Sequence, residues 1–358
     1  YKRTVQMIKK ILVTGDKGYI GTLLTDFLIK LNYEVEGVDI GYFENCTLGK
    51  TNENYKSIRK DIRNLELEDL RTYDAVIHLA GMSNDPLGEL EKDITYSVNR
   101  DATIKLADLC KKSGVKKFVY YSTQSIYGIS KVSEELDEYS SAKDPITAYA
   151  ISKWDAEQHI TSLGDDKFHV SVLRPATVFG STLRLRSDIV FNNFMANAFT
   201  TGSIDIKSDG SPIRPIVHVQ DMCLATKAVL NDFSHERNNH CYNVGKRGGN
   251  YTVKEIADSV QKKYPSANIF YSGEHGKDSR TYKVSFEKIH NDYQSIYQPI
   301  CDLDYGAKEM HDFFNQTNFS KDDLFGIKTN RLNKLKYLME NGYLNKKFEW
   351  LKNESQEN

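Results

Sequence analysis

The sequence has no run of apolar residues approaching the length of a membrane span, which argues against a bilayer helix. Its first ten residues, "YKRTVQMIKK", are charged without an apolar segment, unlike a secretory signal. Met7 is the expected native start, with residues 1–6 as an added leader. Cysteine is scarce. The five, Cys46, Cys110, Cys223, Cys241 and Cys301, are odd in number, scattered and without C-x-x-C spacing. That excludes a disulfide framework or zinc site as the organising principle, leaves the metal expectation at none, and fits a reducing cytoplasm. Charge of one sign is missing too: 48 Lys plus Arg against 49 Asp plus Glu leave a net −1. No nucleic-acid or membrane surface is advertised, so an anionic ligand has to be met by a local cluster. There is no internal repeat and no low-complexity linker. At this length the chain forms one large or two modest domains.

What is present is an alternation of short apolar runs with helical patterns. "KKILVTG" from Lys9, "EVEGVDI" from Glu34, "DAVIHLAG" from Asp74, "KKFVYYS" from Lys116 and "HVSVLRP" from His169 read as strands buried on both faces. Between them, Leu24, Phe27, Leu28 and Leu31 share a helical face, as do Thr103, Leu106, Ala107 and Cys110, with Gly114 as a stop. The fold class expected is α/β, a doubly wound parallel Rossmann sheet with a smaller, interleaved C-terminal α/β domain. The boundaries expected are 7–178, with 213–242 returning to it, for the sheet domain, and 179–212 with 243–350 for the smaller one. "TVKE" at Thr252–Glu255 is a capping box. Leu332, Leu335, Leu338 and Met339 mark a late helix that stops at Gly342, and "KNESQEN" is expected to fray.

"TGDKGYIG" follows one of these strands and opens a helix. Gly15 permits the tight turn, Gly18 lets a pyrophosphate approach the backbone amides, and Gly21 allows close helix–strand packing. Asp39, eighteen residues beyond Gly21, ends the next strand, where a carboxylate accepts from ribose hydroxyls and repels a 2′-phosphate. The pattern calls for NAD rather than NADP.

The G-x-x-G-x-x-G spacing resembles the short-chain dehydrogenase/reductases, in particular the extended branch, the NAD-dependent nucleotide-sugar epimerase/dehydratase family. The resemblance covers roughly Lys9 to Ile289. It implies that Tyr19 and Ile20 in the glycine loop line the cofactor, that Asp61 and Ile62 in "KDIRN" contact adenine, and that Leu79, Ala80 and Gly81 in "HLAG" pass under the dinucleotide with Asn99 beside it. His78 reads as a packed strand residue.

"TAYAISKWDAEQ" carries Tyr149 and Lys153 at i and i+4, so phenol and ammonium share a helical face. Asp144 and Pro145 read as the cap and first residue of that helix. A free tyrosine titrates near 10, too high for a base at neutral pH, and Lys153 together with an oxidised nicotinamide is expected to lower it. By resemblance, "YSTQSIYG" presents Thr123, or alternatively Ser125, to the reacting hydroxyl. The catalytic set is therefore Thr123, Tyr149 and Lys153, with Tyr149 and Lys153 also touching the cofactor.

Relatives that remove water from the sugar carry an Asp–Glu pair after the catalytic Thr, where this chain has Gln124 and Ser125. The resemblance then implies epimerisation of a nucleotide-diphosphate sugar, most simply at C4 through a 4-keto intermediate. A 4-dehydrogenase or dehydratase is the alternative, and a non-catalytic NAD-binding regulator is the alternative of another class. Arg214 in "SPIRP", Arg280 in "KDSRTYK" and Asn193 in "VFNNF" are expected at the substrate diphosphate, with Ser83, Gln124 and Ser125 near the sugar. Arg184 and Arg186 fit either the nucleotide or surface ion pairs. Relatives pair the helix near Asp101–Lys112 with the Tyr149 helix, so a homodimer is expected.

Overall fold

A computed structural model of the chain describes residues 8–52, 54–128, 134–273 and 281–351. The expectations for Met7, Arg280 and the tail from Lys352 lie outside them. Five strands, β1 (Lys10–Thr14), β2 (Glu34–Asp39), β3 (Lys56–Arg59), β4 (Ala75–His78) and β5 (Lys117–Tyr121), form a parallel sheet completed by His169–Pro175 and His240–Val244. Ile11, Val13, Val76, Ile77, Phe118 and Val119 are all fully buried, as expected of strands covered by helices on both sides. On one side lies α1 (Tyr19–Lys30), held by Leu24 and Leu28. On the other lies the helix Thr103–Ser113, which ends where Gly114 takes a left-handed conformation. His78 is a packed residue: Thr14 and Thr103 occupy its two ring nitrogens, and burial holds its pKa well down.

Sheet order runs from β5 through β4, β1 and β2 to β3, so connections diverge between β4 and β1. A crevice opens there at the carboxyl ends of the strands. A second core, of Phe179, Phe191, Met195, Ile256, Met310 and Phe314, gathers the helices Val190–Thr201, Val253–Lys263 and Leu303–Thr317 beside a small sheet of Thr177–Phe179, Ile213–His218 and Asn250–Thr252. The capping box at Thr252 and Glu255 is present in both directions. The helix Arg331–Glu340 then brings the chain end back onto Tyr42, Met82 and Leu87.

One helix start differs from expectation. The Tyr149 helix is Ala148–Thr161, capped by Thr147, whose Oγ1 accepts from the Ala150 amide at 3.1 Å; Asp144 and Pro145 precede it outside the helix. The hydroxyl of Thr147 also donates to Asp85 at 2.6 Å, and Glu89 accepts from the Ala148 amide at 2.9 Å. One orphan donor of the first turn, the Ala148 amide, is thus satisfied from another segment, which local sequence does not reveal.

Candidate active site

The crevice is a cavity of about 450 Å³. Its floor is the turn from β1 into α1. Gly15 has φ +76°, and a Cβ there would sit 2.8 Å from the Ala80 nitrogen. At Gly21 a Cβ would come within 2.0 Å of the Gly15 carbonyl, so only glycine lets α1 start this close to its strand. Gly18 caps α1 without a side-chain hydrogen bond, leaving first-turn amides for an anion. The residues present therefore fit a dinucleotide: a backbone cradle that a Cβ would fill, a helix N-terminus, and a carboxylate at the end of β2.

Gly15, Gly18, Tyr19, Ile20, Gly21, Asp39, Asp61, Ile62, Leu79, Ala80 and Gly81 all line the cavity. Asp39 accepts from the Gly41 amide at 2.7 Å; burial and the nearby Asp16 charge raise its pKa to about 6. Tyr19 donates to the Gly180 carbonyl at 2.7 Å, tying the glycine loop to the second core. The Asp61 carboxylate is held by Arg63, with Nε at 2.8 Å. Asn99 does not line the cavity; its amide accepts from the Met82 nitrogen and donates to the Met82 carbonyl, fixing the segment after Gly81.

Ser83, Thr123, Gln124, Ser125, Tyr149, Lys153 and Arg214 share the same cavity. Thr123 caps the short helix Gln124–Tyr127 and hydrogen-bonds to Tyr149. In the protein without cofactor, burial pushes the Tyr149 phenol up to about 12, with Thr123 and Arg186 pulling it down and Asp85 raising it. Lys153 directs one of its three donors to the Tyr121 carbonyl at 2.8 Å and lies 4.9 Å from the Tyr120 ring centre. Burial brings its pKa down to about 8, opposed by Glu157 one turn on. Glu157 is itself paired with the buried Arg174 and accepts from Ser122 at 2.5 Å.

Gln124 donates to the Arg174 carbonyl at 3.0 Å, while its buried Oε1 has no partner within the protein. Arg214 lies on Ile213–His218 with its side chain half-buried over the cavity. Asn193 does not line the cavity; its amide donates to the Ser187 carbonyl at 2.9 Å. Arg184 and Arg186 are buried rather than on the surface. Arg186 binds Asp188 through two bonds of 2.8 and 2.9 Å and reaches Ser83 at 3.1 Å, placing a cation in the catalytic wall. "SNDPLG" forms a short helix, Asp85–Gly88, capped by Asn84. The sequence reading missed Asp188, Arg331 and Leu335 as wall residues. Only the "RSD" run hinted at the first, and nothing local at the others.

Comparison with known proteins agrees with this geometry. The model of the NAD-dependent epimerase/dehydratase family matches residues 11–245. A UDP-glucuronate 4-epimerase of Thermodesulfobacterium geofontis is 28% identical over 340 residues, spanning 89% of this chain and 98% of that protein. A putative UDP-glucose 4-epimerase of Methanocaldococcus jannaschii is 26% identical over 321 residues, spanning 86% and 99%. Among solved structures, UDP-glucuronic acid 4-epimerase from Bacillus cereus, in complex with UDP-glucuronic acid and NAD, has the same fold: TM-score 0.73, 24% identity, 86% of this chain and 99% of that one. The fold, the glycine cradle and the family match converge: this chain belongs to the NAD-dependent epimerase/dehydratase family.

Proposed function

We propose that the protein inverts C4 of a nucleotide-diphosphate sugar through a transient 4-keto intermediate. The observation that carries this reading is the Thr123–Tyr149 pair in a cavity whose nearby carboxylates are already engaged. Asp85 accepts from Thr147, and Asp188 is held as an anion by Arg186. Gln124 and Ser125 occupy the places where elimination of water needs carboxyl groups. The relatives that epimerise at C4 support the same choice.

The chemistry NAD supplies when bound is a hydride acceptor and donor and, in its oxidised form, a positive charge. Thr123 Oγ1 holds the C4 hydroxyl, and Tyr149 Oη takes its proton. Tyr149 gives the proton back to O4 after inversion. Lys153 holds the nicotinamide ribose and keeps a positive charge in the wall. The sugar nucleotide lies between the Rossmann part, 7–178 with 213–242, and the smaller part, 179–212 with 243–350. Arg214 and Arg280 hold its diphosphate, with Asn193 behind them and Ser83, Gln124 and Ser125 at the sugar.

The protein works in the cytoplasm, as its five free, scattered cysteines suggest. Among the described residues no helix is long and apolar enough to cross a membrane. It functions as a homodimer through the helices Thr103–Ser113 and Ala148–Thr161, where Ile104, Leu109 and Ile151 keep partial exposure. The test is incubation with NAD and UDP-glucuronate, UDP-glucose or dTDP-glucose, with proton NMR of the product. Inversion at C4 is expected, and loss of water would overturn the reading.

A further inference from the structure

The end of the chain closes one side of the cofactor wall. In the helix Arg331–Glu340, Leu335 and Leu338 are fully buried in a cluster with Tyr42, Met82 and Leu87. After Gly342 the chain turns back and Leu344 pairs with Trp350. Trp350 Nε1 donates to the Ile40 carbonyl at 2.8 Å, Tyr42 donates to the Phe348 carbonyl, and Arg63 reaches the Lys347 carbonyl at 2.9 Å. The Arg59 guanidinium lies 4.6 Å from the Trp350 ring centre. Each of these anchors ends or follows β2 or β3, on the wall that bears Asp39 and Asp61.

Arg331 opens that helix, is 2% exposed and lines the cavity. It donates to the Arg184 carbonyl at 2.7 Å and sits 4.6 Å from the Phe43 ring centre. Among the described residues no carboxylate lies within ion-pairing distance of it, whereas Arg174 and Arg186 each have one. Burial, with the like charges of Arg186 and Arg184 nearby, pushes Arg331 down to about 10, against the pull of Cys46 and Asp188. A buried guanidinium with no carboxylate in contact is costly, and the cost is recovered when an anion enters. In the cavity that Arg331 shares with Asp39, beside Phe43, the anion that the glycine turn and the α1 N-terminus are shaped for is a pyrophosphate.

We propose that Arg331 completes the binding site for the dinucleotide pyrophosphate, so that segment 331–350 belongs to the cofactor site and holds NAD in it. This rests on the dinucleotide lying in the cavity as described. It extends the site to residue 331, outside the matched span 11–245.

The test uses the full-length protein freed of cofactor, with wild type, Arg331→Met and Arg331→Lys titrated with NAD, ADP-ribose, adenosine and UDP. Arg331→Met keeps an apolar stem on Phe43 and removes the charge. It is expected to weaken NAD and ADP-ribose about ten- to hundredfold, the scale of a charge-assisted hydrogen bond. Adenosine and UDP should stay within about twofold of wild type, and Arg331→Lys should recover part of the loss. Unchanged ADP-ribose binding would overturn the proposal, as would a loss confined to UDP, which would assign the charge to the sugar nucleotide. An equal loss for adenosine would overturn it as well, reducing Arg331 to a structural tie. Trp350→Ala supplies a second reading that leaves the charge in place. It should speed NAD release from loaded protein severalfold, and unchanged release would contradict the holding role of the segment. Failure of wild type itself to bind NAD would instead reject the placement of the dinucleotide.

Discussion

Acidification should release NAD through Asp39, and the structure sets the size of the effect. In the free protein, burial and the Asp16 charge raise Asp39 to about 6, while the Gly41 and Lys17 amides and the Arg184 charge pull it down. Ribose hydroxyls donating to the carboxylate favour the charged form and return the bound-state pKa to an ordinary value of about 4. Proton linkage then fixes the sign: the free protein binds the proton more tightly than the complex, so affinity falls as pH drops through 6. Between pH 7 and pH 5 these two values give a weakening of roughly tenfold, or about 1.4 kcal/mol. The assay is calorimetric titration of cofactor-free protein with NAD from pH 5 to 8, beside Asp39→Asn. The variant should bind weakly at every pH, with the slope gone. A flat wild-type profile, or the same slope in Asp39→Asn, would refute the role of Asp39 at the ribose.

Three further outcomes follow from individual contacts. Tyr149→Phe should lower turnover by about 10²–10⁴-fold while NAD affinity stays near wild type; near-normal turnover would remove the tyrosine base. Glu157→Gln leaves the buried Arg174 guanidinium without its carboxylate and should cost about 3–5 kcal/mol of stability, read by urea denaturation. An unchanged midpoint would show that the pair contributes little. Gly21→Ala places a Cβ 2.0 Å from the Gly15 carbonyl, and backbone cannot yield as a side chain would. NAD binding should be lost by calorimetry, and retained affinity would mean the turn is not the cradle.

Much of the first half of the site is legible in sequence because its parts are local. The glycine turn, Asp39 at the end of β2 and the i, i+4 pair Tyr149 and Lys153 each lie within one strand–turn–helix or one helix. Thr123 and Gln124 follow at the end of β5 for the same reason. What local spacing does not carry is the use each side chain makes of distant partners. Lys153 gives one ammonium donor to the Tyr121 carbonyl, and Asn99 spends its amide on Met82. The Tyr149 helix starts at Ala148 because Glu89 and Asp85, some sixty residues away, complete its cap. Arg331 is further still: its place in the cavity depends on the chain end packing on Tyr42 and Leu87, through contacts that span most of the sequence. A single arginine in a polar C-terminal helix gives no sign of that.

The most direct test of the central claim, that hydride leaves and returns to C4, uses a UDP-sugar substrate carrying deuterium at C4. It would be incubated with the protein and unlabelled NAD in ordinary water, and the product separated and weighed. The account predicts an inverted sugar of unchanged mass with the deuterium still at C4. Loss of the label to solvent, with hydrogen in its place, would contradict it.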